Sequence, residues 1–294
     1  MTAIRTGIIG MGNMGSQYAA LLLDGQVPGM ELAAVTRVRP EQLQKLGLTL
    51  PESLPVYTSA DALFHAVDDE NLGLDAVIIA TPHRLHEEQS ISAMKRGLHV
   101  LCDKPAGIYS RQARLMEEAR PEDLVCAYIF HQRTYPSYQH IRRIIQSGEL
   151  GGLKRMNWTV TDWYRSNAYY QSSSWRGTWK LDGVRICRLD RPEKEYRLTL
   201  GDNFEMPAGT WDGFPMKTEP DAYQKILQNF AAAINSGNRE GLTAPWEEAR
   251  KSLLISNAIY LSSWKGETIG IPVPGSDEEL EFEKDFENHW NLEI

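Results

Sequence analysis

Up to about residue 130, short apolar runs alternate with longer segments whose apolar positions recur every three or four residues. The runs at residues 6–9, 32–35, 76–80, 99–102 and 124–129 are too continuously apolar for strands with one wet face, and they read as buried parallel strands. Residues 13–23, 40–46, 60–67, 87–96 and 111–120 carry the helical period between them. Strand and helix taking turns in this way predicts a parallel sheet covered on both faces, an α/β domain spanning residues 1–130. A helix over 137–146 follows, with Ser147-Gly148 as its stop.

The second half has a different pattern. Residues 154–163 alternate like a strand, and the stretch to Trp179 is crowded with Trp, Tyr and Ser. Two more strand candidates surround Arg188 and Tyr196. Helices are expected at 222–235 and 246–264, and a last strand at 268–273. The acidic tail from 276 to 294 reads as a solvated, partly ordered end. Residues 131–294 are therefore expected to form an α+β domain with a shortened, mostly antiparallel sheet.

Composition narrows the function classes. The chain has 294 residues, 42% hydrophobic and 24% charged, which suits two ordered globular domains. Its net charge of -8 argues against nucleic acid, whose phosphates need a basic face. No run approaches the roughly 18 apolar residues of a membrane span. The first residues enter a strand and glycine turn at once, so no secretory signal is expected. Cys102, Cys126 and Cys187 are scattered and odd in number, which fits reduced thiols in a cytoplasmic protein with no bound metal.

Gly10-Met11-Gly12-Asn13-Met14-Gly15 lies where the first strand should end and the first helix begin. The first glycine permits a tight turn, the second lets a pyrophosphate approach the backbone, and the third allows close helix–strand packing. This is the fingerprint of a Rossmann dinucleotide-binding domain. At the end of the second strand an acid would bind the adenosine ribose of NAD. The chain instead has Thr36, Arg37 and Arg39, a hydroxyl and two positive charges where a 2′-phosphate would lie. NADP is the expected cofactor, with NAD as the alternative.

The string ATPHRLHEEQSISAMKRGLHVLCDKP, from Ala80 to Pro105, resembles the glucose–fructose oxidoreductase and inositol dehydrogenase family, Gfo/Idh/MocA. The similarity runs from Ile8 to about Val184 and resumes over about 222–270; Asp103 stands where the family pattern has Glu. The resemblance implies a second domain carrying the substrate site and the contacts of a homo-oligomer. It makes Lys104 the catalytic proton-transfer residue beside the nicotinamide. A lysine partly desolvated at a strand's C-terminal end would be suited to that task. Thr81, Pro82, Asp103 and His86 would border the cofactor. His86 is read as a loop-positioning residue or cofactor neighbour, since a lone pair with His83 lacks a zinc ligand set. Tyr128, His131, Gln132 and Arg133 fall where the family brings polar residues toward substrate, and Trp175 and Arg176 would lie beside a sugar or polyol. Trp158 and Trp163 are read as core or interface residues.

The chain departs from the family after Val184. Relatives would continue into a segment bearing a His and an Asp, whereas this chain passes to Arg185-Ile186-Cys187-Arg188-Leu189-Asp190, which resembles a much later strand. Several dozen residues are missing near 184–186, and no histidine lies between His140 and His289. An internal deletion, an omitted segment and a member that has lost catalysis all remain open. Two functions follow: an NAD(P)-dependent oxidoreductase interconverting a hydroxyl and a ketone on a sugar, cyclitol or related polyol, or a catalytically impaired dinucleotide-binding protein derived from one.

Overall fold

The computed structural model describes residues 2–70, 72–148, 151–152, 170–171, 174–176, 178, 181 and 219–293. Six strands form one sheet: β1 Ile4–Ile9, β2 Met30–Thr36, β3 Val56–Tyr57, β4 Ala76–Ile79, β5 His99–Cys102 and β6 Cys126–Tyr128. Their order is β3-β2-β1-β4-β5-β6, and every neighbouring pair is parallel. All four residues of β4 are fully buried, which is why it reads as an unbroken apolar run. β3 has no counterpart among the expected strands. It is two residues long, and Val56 is 54% exposed, so it carries no periodic signal.

The crossover helices are α1 Asn13–Leu23, α2 Pro40–Leu46, α3 Ala60–Asp69, α4 His86–Met94 and α5 Ser110–Glu118, followed by α6 Pro136–Ser147. Local chemistry sets their ends. Pro40 opens α2, where its fixed φ is helical and its missing N–H is not needed. Ser59 Oγ accepts the Ala62 N–H at 3.1 Å and caps α3. Gly148 closes α6 in the left-handed region at φ 75°, at the stop read from the sequence.

Each face of the sheet carries an apolar layer, and the end of the chain completes both. On one face, Tyr18, Ala19 and Leu22 of α1 pack with Ile8, Ile78 and Leu101, joined by Ile226, Leu227 and Phe230 of α7, Ala222–Ser236. On the other, Leu63, Phe64, Met94 and Met116 pack with Ile79 and Val100, joined by Leu253 of α8, Glu247–Lys265. Trp246, just before α8, stacks on Tyr128 with ring centroids 4.3 Å apart.

Two expectations need correction. Residues 268–273 form no strand, and Ile271 and Val273 are exposed. Pro272 and Pro274 supply no N–H to a ladder there. The acidic tail is not a solvated end: it forms α9, Asp277–Glu293, and buries Phe282, Phe286 and Trp290 against Ile108, Leu254, Ala258 and Leu261. Three of its acids meet arginines. Glu283 meets Arg114 at 2.8 Å, Glu287 meets Arg111 at 2.9 Å, and Glu279 lies 3.5 Å from Arg250. The strands expected at 154–163 and around Arg188 and Tyr196, the antiparallel sheet they would build, Trp158 and Trp163, and the departure after Val184 lie outside the described residues.

Candidate functional site

A cleft of about 2050 Å³ runs along the C-terminal ends of the strands, from Arg37 past the glycine loop to Lys104, His131 and Trp175. Open parallel sheets bind ligands at this edge. The volume exceeds the roughly 300–1,000 Å³ of a single small-molecule pocket.

The three motif glycines differ in what constrains them. Gly10 has φ +99°, and a Cβ there would stand 2.7 Å from the Ala80 carbonyl oxygen. A Cβ on Gly15 would stand 1.9 Å from the Gly10 carbonyl oxygen, so Gly15 brings α1 against the loop. A Cβ on Gly12 would meet nothing within 4 Å: it would project into open space at the start of α1, whose Gly12 N-cap lacks a side-chain cap. An uncapped helix start with free N–H groups and room above the backbone suits an anion such as a pyrophosphate. Gly10, Met11, Gly12, Asn13 and Met14 line this part of the cleft.

Thr36 plays a different part from the phosphate contact expected of it. It is fully buried; its Oγ1 accepts the Gly10 N–H at 3.0 Å and its carbonyl accepts the Met11 N–H at 3.1 Å. Thr36 thus ties β2 to the glycine loop. Arg37 follows it with φ 53°, a left-handed conformation uncommon outside glycine. Its N–H donates to the Tyr57 carbonyl of β3 at 2.9 Å, and Arg37, Arg39, Gln42, Lys45, Tyr57 and Thr58 together line the far end. Lys45 and Tyr57 were not singled out from sequence, because the two-residue β3 that shapes this end left no pattern.

At the other end, Thr81, Pro82, Asp103 and Lys104 line the cleft. Asp103 is buried, and its Oδ1 accepts the Lys104 N–H at 2.8 Å. Burial pushes the Asp103 carboxyl above the ordinary carboxylate range, against the pull of Lys104. Lys104 itself is exposed to the cleft, where partial desolvation was expected. His86 is fully buried behind this wall. Its Nδ1 lies 2.8 Å from the Pro105 carbonyl oxygen and its Nε2 2.8 Å from that of Thr81. Burial, aided by the His83 charge, pushes the ring down to about 4, so at neutral pH it has one N–H and donates to one carbonyl at a time. His86 therefore holds the loops after β4 and β5 together from behind the cleft.

Arg133 lines the cleft, but its guanidinium is engaged: it donates to the Thr243 carbonyl at 3.3 Å, lies 3.5 Å from Glu248 and covers the Phe130 ring at 5.1 Å. Trp175 and Arg176 lie at the cleft, with the Trp175 ring edge-on to His83 at 5.1 Å. Tyr223 of α7 also reaches it. Nothing in the local sequence points to Tyr223, whose place depends on α7 folding back. Among the described residues no group of three or more His, Cys, Asp or Glu side chains could hold a metal ion. Nor is any helix among them long and apolar enough to cross a membrane.

Comparison with known proteins agrees with this geometry. Residues 4–130 match the GFO_IDH_MocA family, described as an oxidoreductase family with an NAD-binding Rossmann fold. Inositol 2-dehydrogenase 4 of Saccharopolyspora erythraea is 31% identical over 150 residues, covering 50% of this chain and 42% of that protein. D-glucoside 3-dehydrogenase of Escherichia coli is 32% identical over 151 residues, covering 51% and 41%. The matched region thus spans about two fifths of these relatives' length. Apo scyllo-inositol dehydrogenase from Lactobacillus casei superposes with a TM-score of 0.42 and 25% identity over 51% of this chain and 43% of that one.

Proposed function

We propose, from the match of residues 4–130 to the GFO_IDH_MocA family model, that the chain is a nicotinamide-dinucleotide-dependent oxidoreductase interconverting a hydroxyl and a ketone on a sugar, cyclitol or related polyol. One observation carries the reading: the glycine loop, Arg37 and Lys104 open onto a single continuous cleft. The space above Gly12 fits a pyrophosphate, and the chain's relatives are named for oxidising inositols and glucosides. The dinucleotide supplies the hydride acceptor. The chain's own residues bind and orient it and manage the proton: Lys104 faces the reacting oxygen, with its backbone fixed by Asp103. Trp175 offers an aromatic face to the C–H face of a sugar, and Arg176 a charge to its hydroxyls.

Within this reading the cofactor is NADP. Arg37, Arg39 and Lys45 line the adenosine end, and among the described residues no acid lines the cleft there to repel a 2′-phosphate. Titration should show NADP binding more tightly than NAD, and Arg37→Asp should narrow or invert the preference. Equal affinities in the unmodified protein would sink this assignment. A second reading has its own support: no histidine lies between His140 and His289, so the family's acid–base His has no counterpart in that segment. A catalytically impaired binding protein would bind the dinucleotide without turnover. A panel of sugars and inositols, followed by absorbance of the reduced cofactor, separates the two.

A further inference from the structure

Lys104 follows the middle one of three neighbouring strand ends. β5 pairs with β4 on one side and β6 on the other, and the turn His131–Thr134 comes directly after β6. Both Lys104 and His131 line the cleft. The glycine loop and Arg37 occupy the β1–β2 side, so the reacting end of a bound dinucleotide falls on the side of β4, β5 and β6. His131 is held there by aromatic rings. Its imidazole stacks on Tyr223 at 4.4 Å between centroids, 29° between planes, and meets Tyr135 edge-on at 6.0 Å. Among the described residues neither ring nitrogen has a hydrogen-bond partner. A fixed ring with available nitrogens, beside a lysine in a ligand cleft, is arranged to exchange a proton with a bound molecule.

We propose that His131 is a second catalytic residue, the proton acceptor that works with Lys104. The inference rests on the oxidoreductase reading above. In alcohol oxidation the carbon-bound hydrogen leaves with its electron pair to the oxidised nicotinamide dinucleotide, and the O–H proton passes to a ring nitrogen of His131. The electrons of the O–H bond become the second C–O bond, leaving a ketone, the reduced dinucleotide and an imidazolium that returns its proton to water. The Lys104 ammonium donates a hydrogen bond to the same oxygen as negative charge develops on it. Among the described residues, the titratable groups that touch His131 or line the cleft at its end are Lys104 and Asp103 from the end of β5, Tyr223 from α7, Tyr138 from α6 and Tyr135 and Arg133 from its own turn. Burial and the Lys104 charge hold the imidazole below its ordinary 6.5, which keeps it neutral, as an acceptor must be, at neutral pH.

Two measurements test the assignment. In the protein without cofactor, an NMR titration of the imidazole should place His131 below 6.5, and Lys104→Met should move it upward by removing the like charge. With substrate, oxidation by the unmodified protein should fall on the acid side as His131 protonates. His131→Gln should remove that limb and lower kcat/KM by about 100-fold or more. His131→Phe, which keeps the stack on Tyr223, should lose as much, and both variants should keep dinucleotide affinity and thermal stability. If the unmodified protein turns over no polyol, the oxidoreductase reading fails and this assignment with it. Turnover that His131→Gln leaves unchanged overturns the assignment alone, as does an imidazole titration that Lys104→Met does not shift.

Discussion

Gly12 and Gly15 lie three residues apart in one motif, yet alanine should fail at each for a different reason. At position 15 the new Cβ would stand 1.9 Å from the Gly10 carbonyl oxygen, 1.1 Å inside the 3.0 Å that real Cβ contacts respect. The obstruction is backbone, and Gly10 cannot yield easily, because its own Cβ position is already closed off by the Ala80 carbonyl at 2.7 Å. Overpacking of a well-fitted interior costs roughly 1–3 kcal/mol and more where the surroundings are stiff, so Gly15→Ala should cost about 3 kcal/mol or more. In a chain of this size that is a fall in Tm on the order of 6–12 °C. At position 12 the methyl would enter open space, at φ -81° and ψ -157°, which alanine adopts without strain. Gly12→Ala should therefore fold at least as well as the native chain, with a gain of up to about 1 kcal/mol from a stiffer unfolded state. Its methyl would occupy the space a pyrophosphate needs, and a similar overpacking cost at the ligand corresponds to roughly 5- to 150-fold weaker binding. Differential scanning fluorimetry without ligand and titration with NADPH would separate the two effects. A Gly15→Ala protein melting within about 1 °C of the native chain, or a Gly12→Ala protein binding as tightly, would refute this account of the loop.

Two further outcomes concern stability. The folded-state value of His86 is about 4 against 6.5 unfolded, so its contribution is present above pH 6.5 and is lost as pH falls through 6.5 toward 4. That loss is on the order of 3 kcal/mol; chemical denaturation at pH 7 and pH 4.5 should show it, and His86→Gln should flatten that part of the profile, whereas an unchanged slope would mean the ring is not buried in neutral form. Phe286→Ala, at a side chain 1% exposed between Tyr109, Trp264 and Trp290, should cost about 3–5 kcal/mol in urea unfolding, and a cost below 1 kcal/mol would mean that α9 does not pack as described.

The sheet was legible because its strands are buried on both faces and its helices are long enough to show their period. Residues 13–23 and 99–102 form the elements that their patterns mark out. Two of the failures share a cause: the acidic tail and Thr36 each depended on a partner distant in sequence. The tail reads as acidic and wet because composition counts Glu279, Glu283 and Glu287 as three charges. In the structure they lie one turn apart along α9, each opposite an arginine, with Phe282, Phe286 and Trp290 supplying the apolar contact. No local window contains Arg111, Arg114 or Arg250. Thr36 was misread for a related reason. Its position at the end of β2 is that of a ribose contact, but whether its hydroxyl turns outward or toward Gly10 is settled by how closely β1 packs beside it.

The same dependence explains why the cleft cannot be assigned to the first 130 residues alone. Its glycine loop, Arg37 and Lys104 come from the alternating strand and helix pattern, but the wall that fixes His131 comes from Tyr223, on a helix that begins more than 70 residues after α6 ends. That helix stays in place because Ile226, Leu227 and Phe230 fill the layer beneath it, against Tyr18 and Ile8. Tyr18 in turn lies under Asp103, and burial, reinforced by that carboxylate, raises its hydroxyl well above the usual range. The apolar contacts that complete the core are thus continuous with the polar groups that place Lys104. A substitution in the α7 contact should therefore reach both ends of the cleft, the Lys104 end through Tyr223 and the glycine loop through Ile8 and Tyr18.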